Sequence, residues 1–193
     1  MRRLVFIILV LLCAVPISAQ TDTTIADSAA VDTNIVLVED SIPHFETEKD
    51  SLVWEMLRYA DTFLAVPYVY AGRSRAGFDC SGFVFTMFQH IGVTLSTAAP
   101  TLWLYGREVP DSAIQPGDIM FFKGTSRYRG PNEISHVAIV YEVMENDIKF
   151  IHAAVNGGIR YDYLSSNYYT RYYFKTRRMP VFDTETEDDG ADQ

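Results

Sequence analysis

The sequence predicts an α+β domain, with N-terminal helices packed on an antiparallel sheet, and two observations predict it. Apolar residues recur at three- and four-residue steps over residues 52–64 and 83–91, which is the helical period. From residue 119 onward they fall instead into short runs and alternations divided by turn sequences, a meander of strands.

Taken in order, the chain opens with Arg2 and Arg3, an almost unbroken apolar run from Leu4 to Val15, and small residues up to Ala19. This is the pattern of an export signal over residues 1–19, cleaved after Ala19. The run stops at Pro16, short of the roughly 18 apolar residues that a membrane span needs. Leu12 stands before Cys13, where a lipidated cysteine normally follows a small residue. The expectation is an exported protein, periplasmic or secreted, with no membrane span after cleavage. Residues 20–48 hold seven acids and no Lys or Arg among Thr, Asp, Ser and Ala, and read as a disordered acidic tether. Residues 183–193 hold six acids and no base and read as a disordered acidic tail.

The working part is residues 49–182. A length of 193 residues with 48% hydrophobic content suffices for one core. The net charge of −9 resides in the tails; twelve acids and fourteen bases remain for 49–182, which indicates neither a nucleic-acid surface nor a membrane-binding patch. Asp50 or Ser51 caps the first helix, which buries Leu52, Val53, Met56, Leu57, Ala60, Phe63 and Leu64 and ends before Pro67. A Gly-rich turn over 71–77 leads to a second helix that opens near Cys80, buries Phe83, Val84, Met87, Phe88 and Ile91, and stops at Gly92. A short helical segment is expected near 101–105. Gln115-Pro116-Gly117-Asp118 turns the chain into a strand over 119–122, and a polar loop covers 123–133. Further strands are expected at 136–143, 148–154, 159–163 and 172–176, with Asn156-Gly157-Gly158 as a turn.

Cleavage after Ala19 removes Cys13 and leaves Cys80 without a disulfide partner. A thiol attacks a carbonyl as thiolate, and an ordinary pKa near 8.5 leaves it mostly protonated at neutral pH. The first turn of a helix supplies partial positive charge and N–H groups, which favour the thiolate and a developing oxyanion alike. Gly77 and Gly82 flank the residue and permit close approach. Four histidines are available as proton acceptors: His44 lies in the tether, and His90 lies about 15 Å along the helix from Cys80 at 1.5 Å per residue. His136 and His152 fall on neighbouring antiparallel strands and can sit side by side, one against the thiol and the other fixing its tautomer. One Cys and two distant His do not supply the four ligands of a structural zinc site, so no metal or other cofactor is expected.

Five segments occur in order: Pro67-Tyr68-Val69-Tyr70-Ala71-Gly72, Gly77-Phe78-Asp79-Cys80-Ser81-Gly82-Phe83-Val84, Gln115-Pro116-Gly117-Asp118-Ile119-Met120-Phe121-Phe122, Ile134-Ser135-His136-Val137-Ala138-Ile139-Val140, and Phe150-Ile151-His152-Ala153. Together they resemble the NlpC/P60 family of bacterial cell-wall peptidases, over nearly all of residues 50–178. The resemblance implies a papain-like cysteine-peptidase fold. It also implies hydrolysis of peptidoglycan stem peptides, most often at the bond between D-glutamate and the diamino acid in third position. On the family's pattern Cys80 is the nucleophile, His136 the general base and His152 the polar third member of a Cys-His-His triad.

The same resemblance matches Tyr68 to a tyrosine that lines the site and helps the oxyanion hole. It matches Asp79 and Ser81 to positions that in some members hold the free amine of the stem's L-alanine. Purely structural roles stand beside these, a helix cap for Asp79, a first-turn polar residue for Ser81 and core packing for Tyr68. Relatives that bind that amine often carry an SH3-like domain ahead of the catalytic one, where this chain has its tether. The loop with Arg127, Tyr128 and Arg129 reads as solvated. The expected partner is peptidoglycan or its stem peptides; the oligomeric state is not legible. The alternative reading is an acyltransferase or lipid-acting relative with the same Cys and His pair, which calls for a wide apolar entrance. A silent wall-binding module has no need of all three residues.

Overall fold

The computed structural model describes residues 47–125, 130 and 132–183. The expected export signal, all but the last two residues of the expected tether, the tail beyond Asp183, and Arg127, Tyr128 and Arg129 of the expected loop lie outside the described residues. The elements are α1 (Glu48–Asp61), a short hairpin of β1 (Arg73–Ser74) and β2 (Gly77–Phe78), α2 (Cys80–His90), α3 (Ala99–Leu102), β3 (Arg107–Val109), β4 (Ile119–Lys123), β5 (Ile134–Val143), β6 (Ile148–Ala154), β7 (Gly158–Tyr163), α4 (Asn167–Tyr172) and β8 (Tyr173–Arg178). Six strands form one sheet in the order β3-β8-β4-β5-β6-β7, and every neighbouring pair is antiparallel. This is the α+β architecture that the sequence predicts, helices first and an antiparallel sheet after.

The sheet is buried on both faces. On one, Phe121, Val137, Ile139 and Ile151 pack with Val53 and Met56 of α1 and Phe83 and Met87 of α2. On the other, Met120, Phe122, Ala138, Val140 and Phe150 pack with Tyr169 of α4. Double coverage explains why β4 reads as an unbroken apolar run rather than an alternation.

Several boundaries differ from expectation, and tertiary contacts account for them. Thr47 caps α1 by accepting the Asp50 N–H at 3.1 Å, so the helix opens at Glu48, ahead of Asp50 and inside the stretch expected to be tether. It ends at Asp61 because residues 65 and 66 leave it for β7: the Ala65 N–H bonds the Ile159 carbonyl at 2.9 Å and the Ile159 N–H bonds the Val66 carbonyl at 2.8 Å. Phe63 stays buried, but Leu64 is 41% exposed and is not core. Gly158 is required at this crossing, since a Cβ there would stand 2.1 Å from the Val66 carbonyl oxygen. The third helix comes earlier than expected, over Ala99–Leu102, with Pro100 in its first turn. The sequence pattern announces neither β3 nor α4. Asp183 is buried and accepts from Arg107 Nε at 2.6 Å, so it belongs to the folded domain and not to the tail. Arg178 at the end of β8 grips Asp118 with two bonds, Nε to Oδ1 at 2.8 Å and Nη2 to Oδ2 at 2.9 Å, and both residues are buried. This pair ties the last strand to the turn that launches β4.

Candidate active site

Cys80 is the first residue of α2, and the residue before it builds the site's entrance. Asp79 caps the helix through Oδ1, which accepts the Gly82 N–H at 2.6 Å and the Ser81 hydroxyl at 3.2 Å. Its Oδ2 accepts the Ala71 N–H at 2.9 Å and holds Ala71 at φ +57°, a left-handed conformation unusual for alanine. The loop thus pinned lies directly on the first turn of α2, where a Cβ at Gly82 would stand 2.2 Å from the Gly72 carbonyl oxygen. Gly82 therefore serves a close approach of backbone to backbone. The Thr97 carbonyl lies nearer the Ser81 hydroxyl, at 2.8 Å, and shares its single hydrogen with Asp79. Both Asp79 and Ser81 are engaged in the scaffold while they line the cleft.

The sequence suggests a helix end that points Cys80 outward; the structure instead holds it 8% exposed, in the lining of a cleft of about 1420 Å³. All six residues singled out from the sequence, Tyr68, Asp79, Cys80, Ser81, His136 and His152, line this one cleft. His90 does not: its ring stacks on Tyr59 at 3.7 Å and its Nε2 lies 3.3 Å from Glu55, a structural placement. His44 lies outside the described residues.

The electrostatics keep thiol and imidazole neutral at rest. Burial pushes the Cys80 thiol up to about 11, the Asp79 charge adds to the rise, and backbone N–H groups of Val137, Ser81 and Cys80 directed at the sulfur oppose it. Burial drives His136 well below its ordinary value, helped by neighbouring His152 and opposed by Asp162. A protonated thiol and an unprotonated imidazole in the lining of one cleft are the starting groups of general-base catalysis. The Tyr68 hydroxyl, pushed up to about 12 by burial and by Cys80, Asp79 and Tyr70, remains a hydrogen-bond donor in the cleft at any working pH. Tyr68 is placed by its own backbone, which pairs with β2: the Phe78 N–H bonds the Pro67 carbonyl at 3.1 Å and the Val69 N–H bonds the Phe78 carbonyl at 3.0 Å.

The two catalytic candidates on the sheet touch. His136 Nε2 lies 2.7 Å from His152 Nδ1, which leaves Nδ1 of His136 as its other ring nitrogen. The next residue on β5, Val137, directs its N–H to the Cys80 sulfur and so places the start of that strand beside the thiol. His152 is 1% exposed, and its Nε2 lies 2.8 Å from Asp162 Oδ2. Arg160 and the Tyr169 hydroxyl converge on the same carboxylate. Sequence reasoning missed Asp162, Arg160 and Tyr169. The first two share a face of β7 beside His152, which the turn at Asn156-Gly157-Gly158 and the side-chain period of two already imply. A thiol at a helix N-terminus, an imidazole backed by a second imidazole, and a fixed phenolic donor suffice for nucleophilic attack on a carbonyl.

The profile of the NlpC/P60 family matches residues 65–178. A probable endopeptidase of Haemophilus influenzae is 38% identical over 114 residues, 58% of this chain and 66% of that protein. A gamma-D-glutamyl-L-lysine dipeptidyl-peptidase of Bacillus cereus is 33% identical over 85 residues, 44% of this chain and 25% of that protein. In three dimensions, a lipoprotein-like member of the NLP/P60 family from Staphylococcus aureus superposes with a TM-score of 0.59 and 29% identity, over 72% of this chain and 44% of that one. The chain therefore spans between a quarter and two thirds of these proteins' lengths.

Proposed function

The chain belongs to the NlpC/P60 family, and on that premise we propose that it is an exported cysteine endopeptidase that cleaves peptidoglycan stem peptides at the D-glutamyl–diamino acid bond. The observation that carries the reading is the single cleft into which α2, β5 and β6 deliver Cys80, His136 and His152. His136 takes the thiol proton at Nδ1 while the sulfur attacks the scissile carbonyl; the tetrahedral oxyanion is met by the Cys80 backbone N–H and the Tyr68 hydroxyl. Collapse breaks the C–N bond as His136 returns the proton to the leaving amine, and water then hydrolyses the thioester with His136 as base again. His152 orients His136. The substrate class is supported by relatives named for gamma-glutamyl bonds, and the polar lining of Tyr68, Ser81, Thr97, Asn156 and Arg160 favours a peptide over the acyl chain of the alternative reading. Asp79 and Ser81 stand at the cleft where a stem amine would bind.

The test is digestion of purified peptidoglycan and of free stem peptides by the mature protein and by Cys80→Ala, with products identified by mass. Cleavage after D-glutamate that vanishes in the variant is the expected result. Intact substrate in the presence of a titratable thiol overturns the reading.

A further inference from the structure

We infer that Asp162 is the positioning residue that sets the tautomers of both imidazoles, so that a lone pair stands on Nδ1 of His136, ready for the thiol proton. The inference deepens the proposed reading of Cys80 and His136 and rests on it for its catalytic meaning. Asp162 Oδ2 lies 2.8 Å from His152 Nε2, 2.8 Å from Arg160 Nε, 2.7 Å from Arg160 Nη2 and 2.8 Å from the Tyr169 hydroxyl. An ionised carboxylate only accepts. Burial works against ionisation here, but the bonds from His152, Tyr169 and Arg160 outweigh it and hold Asp162 at about 2. Each of its neighbours must then donate, so Nε2 of His152 carries the hydrogen.

The rest follows by elimination. Burial holds the His152 ring neutral, so its Nδ1 bears a lone pair. The 2.7 Å contact between that nitrogen and His136 Nε2 requires one hydrogen, and only His136 Nε2 can supply it. His136 is neutral as well, which leaves its Nδ1 unprotonated. The reverse order would set two lone pairs against each other between His152 Nε2 and Asp162, and would put a hydrogen on His136 Nδ1, where it blocks the base. The Tyr169 hydroxyl is the one other neighbour of His152 Nε2 among the described residues. At 3.2 Å it is further from that nitrogen than from the carboxylate oxygen, and its proton goes to the stronger acceptor. The groups facing the pair are thus Asp162 and Arg160 of β7 and Tyr169 of α4, with Cys80 beyond His136. Arg160 also donates to the Asn156 carbonyl at 3.0 Å and holds the carboxylate in place from the turn side.

Long-range 1H–15N correlation spectra of the mature protein labelled with 15N-histidine read the tautomers directly and without substrate; His152→Asn assigns the signals. The expected wild-type result is protonated Nε2 and unprotonated Nδ1 on both rings. In Asp162→Asn the His152 preference is lost and kcat falls about 10- to 100-fold with KM unchanged, the factor that partners of metal-bound histidines show, carried over to an imidazole that orients a base. Tyr169→Phe leaves both tautomers as they are, which separates the carboxylate from the packing around it. A wild-type hydrogen on Nδ1 of His152 overturns the inference, even if the Asn variant does not fold. So does an Asp162→Asn protein with unchanged tautomers or unchanged kcat. Should peptidoglycan go uncleaved while the tautomers are as described, the peptidase reading falls and the assignment of Asp162 as tautomer anchor stands.

Discussion

Replacement of Asp79 by alanine and by asparagine separates its two effects, one on the helix and one on the thiol. Alanine removes the cap bond to the Gly82 N–H and the bond that pins the Ala71 N–H. Loss of an N-cap costs about 1 kcal/mol, and loss of the second bond, at an exposed loop where water substitutes, adds about 0.5–1 kcal/mol. The sum, about 1.5–2 kcal/mol, corresponds to a fall in Tm of roughly 3–8 °C for a chain of this size. Asparagine keeps the cap bond through Oδ1 but sets an NH2 against the Ala71 N–H, so it gives up that second bond, about 0.5–1 kcal/mol, and shares with alanine only this and the lost charge at the helix N-terminus. Both variants remove the anion that helps raise the thiol, so in both the Cys80 pKa drops from its value near 11. Thermal denaturation followed by circular dichroism measures the first effect, and the pH dependence of alkylation by iodoacetamide measures the second. The reasoning is refuted if the asparagine variant melts as low as the alanine one, or if the thiol pKa rises in either. A rise in KM confined to stem peptides with a free L-alanine amine would add substrate binding to the structural role of Asp79.

Tyr68→Phe keeps the ring and its strand pairing but deletes a donor held protonated in the cleft, so kcat falls about 10²-fold with little change in Tm, as steady-state kinetics and melting will show. Arg178→Ala leaves the buried Asp118 carboxylate without its two-pronged partner and costs about 3–5 kcal/mol in urea unfolding, whereas a surface pair such as Lys175–Glu108 contributes little. Gly82→Ala drives a methyl into the Gly72 carbonyl, displaces the first turn of α2 and lowers both Tm and the rate of thiol alkylation. Stability also falls with pH below about 6.5: His136 and His152 are held neutral by burial in the folded state but take up protons freely when unfolded. The unfolded chain then binds more protons, and stability declines by up to about 1.4 kcal/mol per pH unit for each histidine. Denaturant titrations at pH 7.5 and 5.5 check this, and His136→Gln flattens the slope.

How much of this was legible in the sequence depends on whether the deciding contact was local. The cap at Asp79 and the stop at Gly92 lie within a few residues of the periodicity they bound, and α2 was placed at its observed start. The end of α1 was not legible, because Leu64 continues the helical period and only the pairing of Ala65 and Val66 with Ile159, almost a hundred residues away, takes the chain out of it. β3 is three residues long and joins the sheet through β8, so neither its length nor its neighbours announce it. Asp183 sits in an acidic run, and its place in the fold comes from meeting Arg107, again across the fold.

The site follows the same rule, with one informative exception. Cys80, His136 and His152 were reachable because few thiols and imidazoles exist and half of them could be set aside on position. Asp162 was one acid among twelve in residues 49–182 and had no such rarity. Yet its place follows from features already read. A turn at Asn156-Gly157-Gly158 between strands at 148–154 and 159–163 implies an antiparallel hairpin, and its register pairs Ala154 with Gly158, His152 with Arg160 and Phe150 with Asp162. With a side-chain period of two, His152, Arg160 and Asp162 must then share one face, and the diagonal reach between a histidine and an acid two positions along the partner strand suits a hydrogen bond. Carrying the register one pair past the histidine places Asp162 diagonal to it. Because the register also forces the ion pair of Arg160 with Asp162 onto the His152 ring, a residue inserted between 154 and 158 that shifts it by one would turn both charges to the opposite face and leave the imidazole pair without its anchor.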